Sequence, residues 1–357
     1  MPHRTPPFVG GLVAALLAVV AVLVTFMRRL RGRPPSVRDT EQLPPGSSTV
    51  VADDGVRLHV ETDEPETGAA LTVVFSHGFT ARLAEFDLQR DLLRREGVRT
   101  VLYDQRGHGR SAWGPSRHAT MDQLGRDLAA VLEQAVPPGP VVLLGHSMGG
   151  MTIMATARQR PNLFGPRVVG VFLLATSAGQ LVDAGVVGQV VRVARRLHLL
   201  GPYLLWLRLW SPVIERFRRR GTAAGRLVTR KYLFGTSDAD DPALVAEVQH
   251  MLEETPLTVT AAFYATFVSH DELSSLAALH EIPVTILCGT DDRLTPLPHS
   301  RRMAAELPDA ELVVVRGAGH SVNVSRHEVV DAAVLRLLDR VRAESPAAPA
   351  TAQPGAA

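Results

Sequence analysis

The sequence contains a single cysteine, Cys288, so no disulfide bond can form within one chain. Cys288 ends an apolar run and is predicted to be a buried structural thiol. Lysine is equally scarce, because Lys231 is the only lysine among 38 Lys and Arg residues. The formal net charge is +2, and no basic cluster is interleaved with aromatic residues. This pattern argues against a nucleic-acid partner.

Motifs for metal and cofactor binding are missing as well. No His, Cys or carboxylate residues have the spacing of H-E-x-x-H or C-x-x-C metal sites. No G-x-G-x-x-G follows the first predicted strand, as a dinucleotide site would require. The sequence therefore predicts neither a metal nor a cofactor.

The most informative feature present is a G-x-S-x-G motif at residues 145–149. The apolar run at 140–144 predicts a buried strand before it, and the apolar residues at 150–157 predict the start of a packed helix after it. A sharp strand-to-helix turn of this kind exposes a serine hydroxyl at the end of a sheet, and the small glycines let the backbone crowd there. Ser147 is therefore the predicted nucleophile.

Three further regions corroborate this motif. Residues 71–79 are an apolar run that breaks at Gly78, and residues 104–111 read D-x-R-G-x-G-x-S. Two later apolar runs, 284–287 and 312–315, lead into Gly-Thr-Asp-Asp at 289–292 and Gly-Ala-Gly-His at 317–320. Together with 145–149, these motifs resemble those of the α/β-hydrolase family over about residues 50–342. The resemblance and the alternation of strand and helix patterns predict a doubly wound, mostly parallel eight-stranded sheet with helices on both faces.

The resemblance also implies roles for individual residues. The backbone N–H groups of Phe79 and Met148 are expected to form the oxyanion hole. A serine hydroxyl is a poor nucleophile at neutral pH, so His320 is expected to act as the general base that takes its proton. A carboxylate is then needed to orient the imidazole, in the chain order Ser, Asp, His that the fold imposes.

Two adjacent aspartates, Asp291 and Asp292, compete for that acid position. The family's spacing places the acid three residues after the glycine and before an aliphatic-x-Pro step, which selects Asp292. Asp291 is then expected to cap its loop or to be solvated. The other histidines near these motifs, His77, His108 and His146, are expected to shape their loops.

The ends of the chain differ from this central region. Residues 8–27 lack any charged side chain, and 20 helical residues span the roughly 30 Å hydrocarbon core of a membrane. A secretory signal peptide is the main alternative, but its apolar region is usually about 7–15 residues long and is followed by a small-x-small cleavage site. The sequence thus predicts a tail at 1–7, a single-pass membrane anchor at 8–27 and a linker at 28–48. The arginines that follow the anchor favour a catalytic domain on the cytoplasmic face.

The predicted hydrolase domain covers residues 49–342, with a helical cap at about 179–269 and a disordered Pro/Ala-rich tail at 343–357. The family resemblance places such a cap over the active site. An apolar cap and the absence of any carboxylate- or phosphate-binding pattern in the catalytic loops favour an ester or lipid substrate with a medium-to-long acyl chain.

The resulting functional hypothesis is a cofactor-independent serine hydrolase that cleaves carboxylic esters or thioesters through an acyl-enzyme. Epoxide hydrolases and haloalkane dehalogenases of the same fold use an aspartate at the elbow, so Ser147 argues against both. A perhydrolase or haloperoxidase-like enzyme, a C–C bond hydrolase and an aminopeptidase share the same triad and stay open as alternatives. A non-enzymatic ligand-binding protein is a more remote one.

Overall fold

The computed structural model describes residues 43–66, 68–181, 223–236 and 241–344, together with the single positions 196, 210 and 214. These residues form one eight-stranded sheet, with strands β1 Ser47–Val51, β2 Arg57–Asp63, β3 Thr72–Ser76, β4 Arg99–Tyr103, β5 Val141–His146, β6 Val168–Leu174, β7 Val284–Gly289 and β8 Glu311–Val315. The order across the sheet is β1-β2-β4-β3-β5-β6-β7-β8. β2 runs antiparallel to β1 and β4, and every pair from β4 to β8 is parallel. The predicted mostly parallel, eight-stranded α/β sheet is confirmed.

Helices cover both faces of this sheet because its central strands are apolar on both faces. In the continuous ranges that the structure describes, the α-helices are α1 Asp87–Arg95, α2 Met121–Gln134, α3 Met148–Gln159, α4 Ala223–Leu233, α5 Pro242–Glu254, α6 Leu257–Ser269, α7 Leu297–Glu306, α8 Val322–Ser325 and α9 His327–Glu344. Adjacent residues of β3 point to opposite faces, so Val74 packs in one core cluster with Ile153 of α3, whereas Val73 packs in the other with Leu337 of α9.

The topology brings the ends of distant strands to one edge. β3, β5, β7 and β8 are parallel neighbours or near neighbours in the sheet, so the loops that follow them lie at the same carboxyl-terminal edge. In open α/β sheets, ligands bind at this edge. The four loops carry Phe79, Ser147, Asp292 and His320.

The helices α4, α5 and α6 lie in the chain between β6 and β7. The segments before and after these helices meet outside the sheet, where Gly179 forms an isolated antiparallel bridge with Asp271 and the Glu272 N–H donates to the Ala178 carbonyl at 2.7 Å. These helices fall within the segment for which the sequence predicts a cap. The predicted domain boundaries remain predictions, with the first strand starting at Ser47 and the last helix ending at Glu344.

The prediction of a single-pass membrane location, with the catalytic domain on the cytoplasmic face, is wrong when the described helices are tested for the length and apolarity that a membrane span requires. Crossing the hydrocarbon core takes about 20 mostly apolar helical residues. Among the residues that the structure describes, no helix has the length and apolarity for that. The anchor predicted at 8–27 lies outside the described residues, as do residues 28–42 of the predicted linker and the tail from 345.

Candidate active site

Ser147 occupies a strained turn between β5 and α3. Its backbone has φ 52° and ψ −117°, a conformation that non-glycine residues rarely adopt. The glycines on either side of Ser147 leave no room for a side chain. A Cβ on Gly149 would collide with the Ser76 carbonyl oxygen, and one on Gly145 would lie 2.6 Å from the Gly149 carbonyl carbon. This tight packing of the Ser147 turn against β3 holds the Ser147 side chain at the sheet edge.

The residues predicted to form the triad lie in one hydrogen-bonded chain. Nε2 of His320 is 2.9 Å from Oγ of Ser147, and Nδ1 of His320 is 2.8 Å from Oδ2 of Asp292. Because an ionised carboxylate only accepts hydrogen bonds, the proton of the neutral imidazole belongs on Nδ1. Nε2 is then the free acceptor that faces the serine hydroxyl. This arrangement is what a general base needs in order to take the proton of Ser147.

Asp292 is held in place by its own loop. The N–H groups of Leu294 and Thr295 donate to Oδ1 at 2.8 and 2.9 Å, and the Thr295 hydroxyl donates to Oδ2 at 2.8 Å. Burial alone would raise the pKa of the Asp292 carboxyl group, but His320 and the hydrogen bonds from Thr295 outweigh burial and hold that pKa below its ordinary value. Asp292 therefore stays ionised beside the imidazole.

Asp291 has a different set of partners. Its Oδ2 accepts from the backbone N–H and the hydroxyl of Thr236, at 3.0 and 2.6 Å, and the Thr290 hydroxyl donates to its Oδ1 at 3.0 Å. Of the two competing aspartates, Asp292 is thus the one hydrogen-bonded to His320. The loop contacts of Asp291 agree with the capping role expected for it.

The N–H of Phe79, the first predicted oxyanion donor, belongs to the Gly78–Phe79 peptide group, whose orientation is set by His77. The Gln105 N–H donates to Nε2 of His77 at 2.9 Å, so Nε2 is an acceptor and the ring proton lies on Nδ1. Nδ1 then donates to the Gly78 carbonyl oxygen at 2.7 Å. In a planar trans peptide the N–H points opposite to the carbonyl, so the Phe79 N–H is turned away from His77. Burial lowers the pKa of His77, which agrees with a neutral ring.

Met148, the second predicted donor, is the first residue of α3. The first N–H groups of an α-helix have no partner within the helix and lie at the positive end of its dipole. The Met148 N–H therefore adjoins Ser147 where a negative charge is favoured. Gln105, which fixes the tautomer of His77, was not identified from the sequence as a contributor, although it lies within the D-x-R-G-x-G-x-S loop.

An apolar cavity of about 290 Å³ opens onto Ser147 and His320. Helices α5 and α6 supply much of its wall, and the ring of Phe79 packs against α6, 4.9 Å from the ring of Phe267. The apolar lining residues are Phe79, Ala81, Met151, Leu181, Leu233, Val248, Met251, Leu252, Tyr264, Phe267, Val268, Leu294 and Val324. A cavity with this lining accommodates a hydrocarbon chain next to the serine hydroxyl.

Metal and cofactor sites were not expected from the sequence. Within the residues that the structure describes, no group of three or more His, Cys, Asp or Glu side chains is placed to hold a metal ion. The expectation that the protein works without a cofactor stays a prediction.

Comparison with known proteins agrees with this geometry. The family model described as the alpha/beta hydrolase family matches residues 73–333, which include the loops carrying Phe79, Ser147, Asp292 and His320. The chain belongs to this family. It is a hydrolase, since relatives that it matches over 87–98% of their own length are named as esterases and lipases.

Individual relatives of the hydrolase differ in their names. A non-heme chloroperoxidase of Streptomyces lividans is 27% identical over 291 residues, covering 79% of this chain and 96% of that protein. A monoacylglycerol lipase of Mycolicibacterium smegmatis is 26% identical over 279 residues, covering 75% of this chain and 87% of that protein. Among solved structures, a thermophilic esterase of Thermogutta terrifontis with malate bound has a TM-score of 0.64 at 26% identity, covering 83% of this chain and 98% of that one.

Proposed function

We propose that this hydrolase cleaves carboxylic esters or thioesters through an acyl-enzyme formed on Ser147. The observation that carries the proposal is the hydrogen-bonded chain from Ser147 through His320 to Asp292 at the mouth of the apolar cavity. Such a chain activates a hydroxyl that would otherwise be a weak nucleophile.

In the proposed reaction, Nε2 of His320 accepts the hydroxyl proton as Oγ of Ser147 attacks the ester carbonyl carbon. The N–H groups of Phe79 and Met148 donate to the oxyanion that develops. The protonated His320, oriented by Asp292, then donates its proton to the leaving alcohol or thiol, and the bond to that group breaks. A water molecule then attacks the acyl group as His320 takes its proton. His320 returns that proton to Oγ as the acyl–Oγ bond breaks, which releases the acid and free Ser147.

The cavity supports a particular class of substrate. Its lining is mainly aliphatic and aromatic, so transfer of a hydrocarbon chain from water into it is favourable. This supports a substrate with a medium-to-long acyl chain over a small charged metabolite. The name of the Mycolicibacterium smegmatis relative, a monoacylglycerol lipase, points in the same direction.

Two measurements on the purified protein test the proposal. A fluorophosphonate probe labels an activated serine, so labelling is expected for the wild-type protein and is expected to vanish in Ser147→Ala with the fold unchanged by circular dichroism. Hydrolysis of p-nitrophenyl esters from acetate to palmitate gives the acyl preference. Retained esterase activity in Ser147→Ala would overturn the assignment of the nucleophile. A profile that peaks at acetate and falls steeply by octanoate would overturn the acyl-length part.

A perhydrolase is the second candidate, favoured by one observation: the chloroperoxidase relative of Streptomyces lividans matches over nearly its whole length. In that reaction hydrogen peroxide takes the place of water, attacks the acyl-enzyme and leaves as the peracid. The two candidates are separated by measuring peracid formation from a short carboxylic acid or ester with hydrogen peroxide, beside ester hydrolysis under the same conditions. A peracid rate above the hydrolysis rate would make this the main activity.

A further inference from the structure

A buried carboxylate and a buried imidazole lie beside the proposed catalytic residues. Glu85 belongs to the 3₁₀ turn Leu83–Phe86 that follows β3, and His146 is the last residue of β5, directly before Ser147. Oε1 of Glu85 is 2.8 Å from Nδ1 of His146, and their side chains are 10% and 3% exposed. Both side chains line the cavity, and neither has a part in the proposed reaction.

The second nitrogen of His146 contacts the histidine loop. Nε2 lies 3.1 Å from the backbone carbonyl oxygen of His320, and the two imidazole rings are 4.9 Å apart between centroids. The two nearest neighbours of the ring nitrogens are therefore both acceptors, a carboxylate and a carbonyl oxygen. A neutral imidazole carries one proton and would leave one of these contacts between two acceptors. Only the imidazolium carries a proton on both nitrogens: Nε2 then donates to the His320 carbonyl, and Nδ1 lies at ion-pair distance from Glu85, although not in hydrogen-bond alignment with it.

The other oxygen of Glu85 contacts the oxyanion loop. Oε2 accepts the Gly78 N–H at 2.8 Å, one residue before Phe79. Gly78 packs directly on the pair, because a Cβ at this position would lie 2.8 Å from Nδ1 of His146. A continuous set of contacts thus runs from the Gly78 N–H through Glu85 and His146 to the carbonyl of His320.

We propose that Glu85 holds His146 as an imidazolium, and that this ion pair is a positioning element that fastens the loop of Phe79 to the loop of His320. The positioning role rests on the proposed function, whereas the charge state of His146 does not. The pair joins two loops far apart in the sequence whose relative placement decides whether the base and the oxyanion donors face the same substrate carbonyl.

The surrounding titratable groups support the charged form. The groups that face the His146 ring are Glu85, the neutral His77 directly after β3, and His320 with its partner Asp292. Burial would lower the pKa of His146, but Glu85, aided by the His320 carbonyl and by Asp292, holds that pKa above its ordinary value. Burial would likewise raise the pKa of Glu85, and His146 reverses this effect.

Nitrogen NMR of the histidine rings in the full-length protein tests the charge state without reference to any activity. The His146 signals are assigned by their absence from His146→Gln. We expect both ring nitrogens of His146 to be protonated at pH 7, and Glu85→Gln to convert the ring to the neutral form with its proton on Nε2. Glu61→Gln is the matched control, because Glu61 is a buried carboxylate 3.1 Å from Nε2 of His59 on β2, outside the cavity lining.

Kinetics with a p-nitrophenyl ester test the positioning role. Glu85→Leu removes the acceptor of the Gly78 N–H, and we expect kcat to fall about 10-fold or more with little change in KM, because small misplacements of reacting groups are costly. Glu85→Gln retains an acceptor for Gly78 but loses the ion pair with His146, so its kcat should lie between those of the wild type and Glu85→Leu. Glu61→Leu should lower stability without changing kcat.

The outcomes are separable. A neutral His146 ring in the wild-type protein at pH 7 would overturn the ion pair. An unchanged kcat in Glu85→Leu, with the protein folded, would overturn the positioning role. If no ester were hydrolysed at all, the proposed function would fail while the NMR result still decided the charge state of His146.

Discussion

Nδ1 of His77 donates a 2.7 Å hydrogen bond to the carbonyl oxygen of Gly78, and this bond orients the peptide that carries the Phe79 N–H. The tautomer that makes the bond possible is set from another loop, by the Gln105 N–H at Nε2. A fully buried, neutral histidine thus determines where a proposed oxyanion donor points, although it does not contact the reacting atoms.

His77→Asn and His77→Leu test this arrangement. Both variants lose the acceptor for Gln105, but only asparagine places an amide N–H close to the position of Nδ1. We expect kcat in His77→Leu to fall by roughly one to two orders of magnitude, since losing one oxyanion donor costs about 10²–10³-fold. His77→Asn should retain clearly more activity. Equal kcat values for the two variants would show that the hydrogen bond to Gly78 does not matter.

The adjacent aspartates allow a matched comparison within one loop. Asp292→Asn keeps the size of the side chain but places no full negative charge beside Nδ1 of His320, so the imidazole is held less well in the required tautomer. We expect kcat to fall by about 10³–10⁴-fold. Asp291→Asn changes only contacts with Thr236 and Thr290 and should stay within a few-fold of the wild type. The opposite ranking in a single-turnover assay would transfer the acid role to Asp291.

Much of the fold could be predicted from the sequence because its strands are short apolar runs bounded by glycine. The runs at 140–144 and 284–287 correspond to β5 and β7, and the run at 312–315 to β8. The residues that follow them resemble the motifs of the α/β-hydrolase family, and this resemblance allowed Ser147, Asp292 and His320 to be selected before any distance was known. Parallel pairing of the strands then brings these residues to one edge.

Glu85 and Gln105 could not be found in the same way. Glu85 lies in a 3₁₀ turn with no motif of its own, and its importance depends on contact with His146, which is 61 positions away in the printed sequence. The role of Gln105 depends on a backbone N–H, which every residue except proline has. Such contacts follow from how loops pack against each other, and local sequence patterns carry little information about that.

The buried, neutral histidines make the stability of the folded protein depend on pH. Burial lowers the pKa of His108 to about 3, from an ordinary value of 6.5. Between about pH 6.5 and 3 the unfolded chain therefore binds a proton at this position that the folded protein does not, and the free energy of unfolding falls as the pH falls. His77 and His270 have pKa values lowered mainly by burial and act in the same direction.

His108→Phe removes this proton-linked loss while keeping an aromatic ring near Phe79 and Phe263. We expect its free energy of unfolding, measured with urea at pH 7.5, 6.0 and 5.0, to depend less on pH than that of the wild type. His250→Phe is the control, because the His250 side chain is 78% exposed. Identical pH slopes for His108→Phe and the wild type would show that His108 is not buried in the neutral form.

Narrowing the cavity tests the proposed acyl-binding role of the helices above Ser147. Leu252 of α5 lines the cavity, so Leu252→Trp fills part of its roughly 290 Å³. We expect the optimum among p-nitrophenyl esters to move to a shorter acyl chain, with kcat/KM for the longest esters falling about 10-fold or more, since each buried CH₂ is worth about 0.8 kcal/mol. Leu227→Trp adds the same bulk on α4, where Leu227 is 66% exposed and outside the cavity lining, and should leave the profile unchanged. The same acyl profile in both variants would mean that the acyl chain binds elsewhere than between α5 and Ser147.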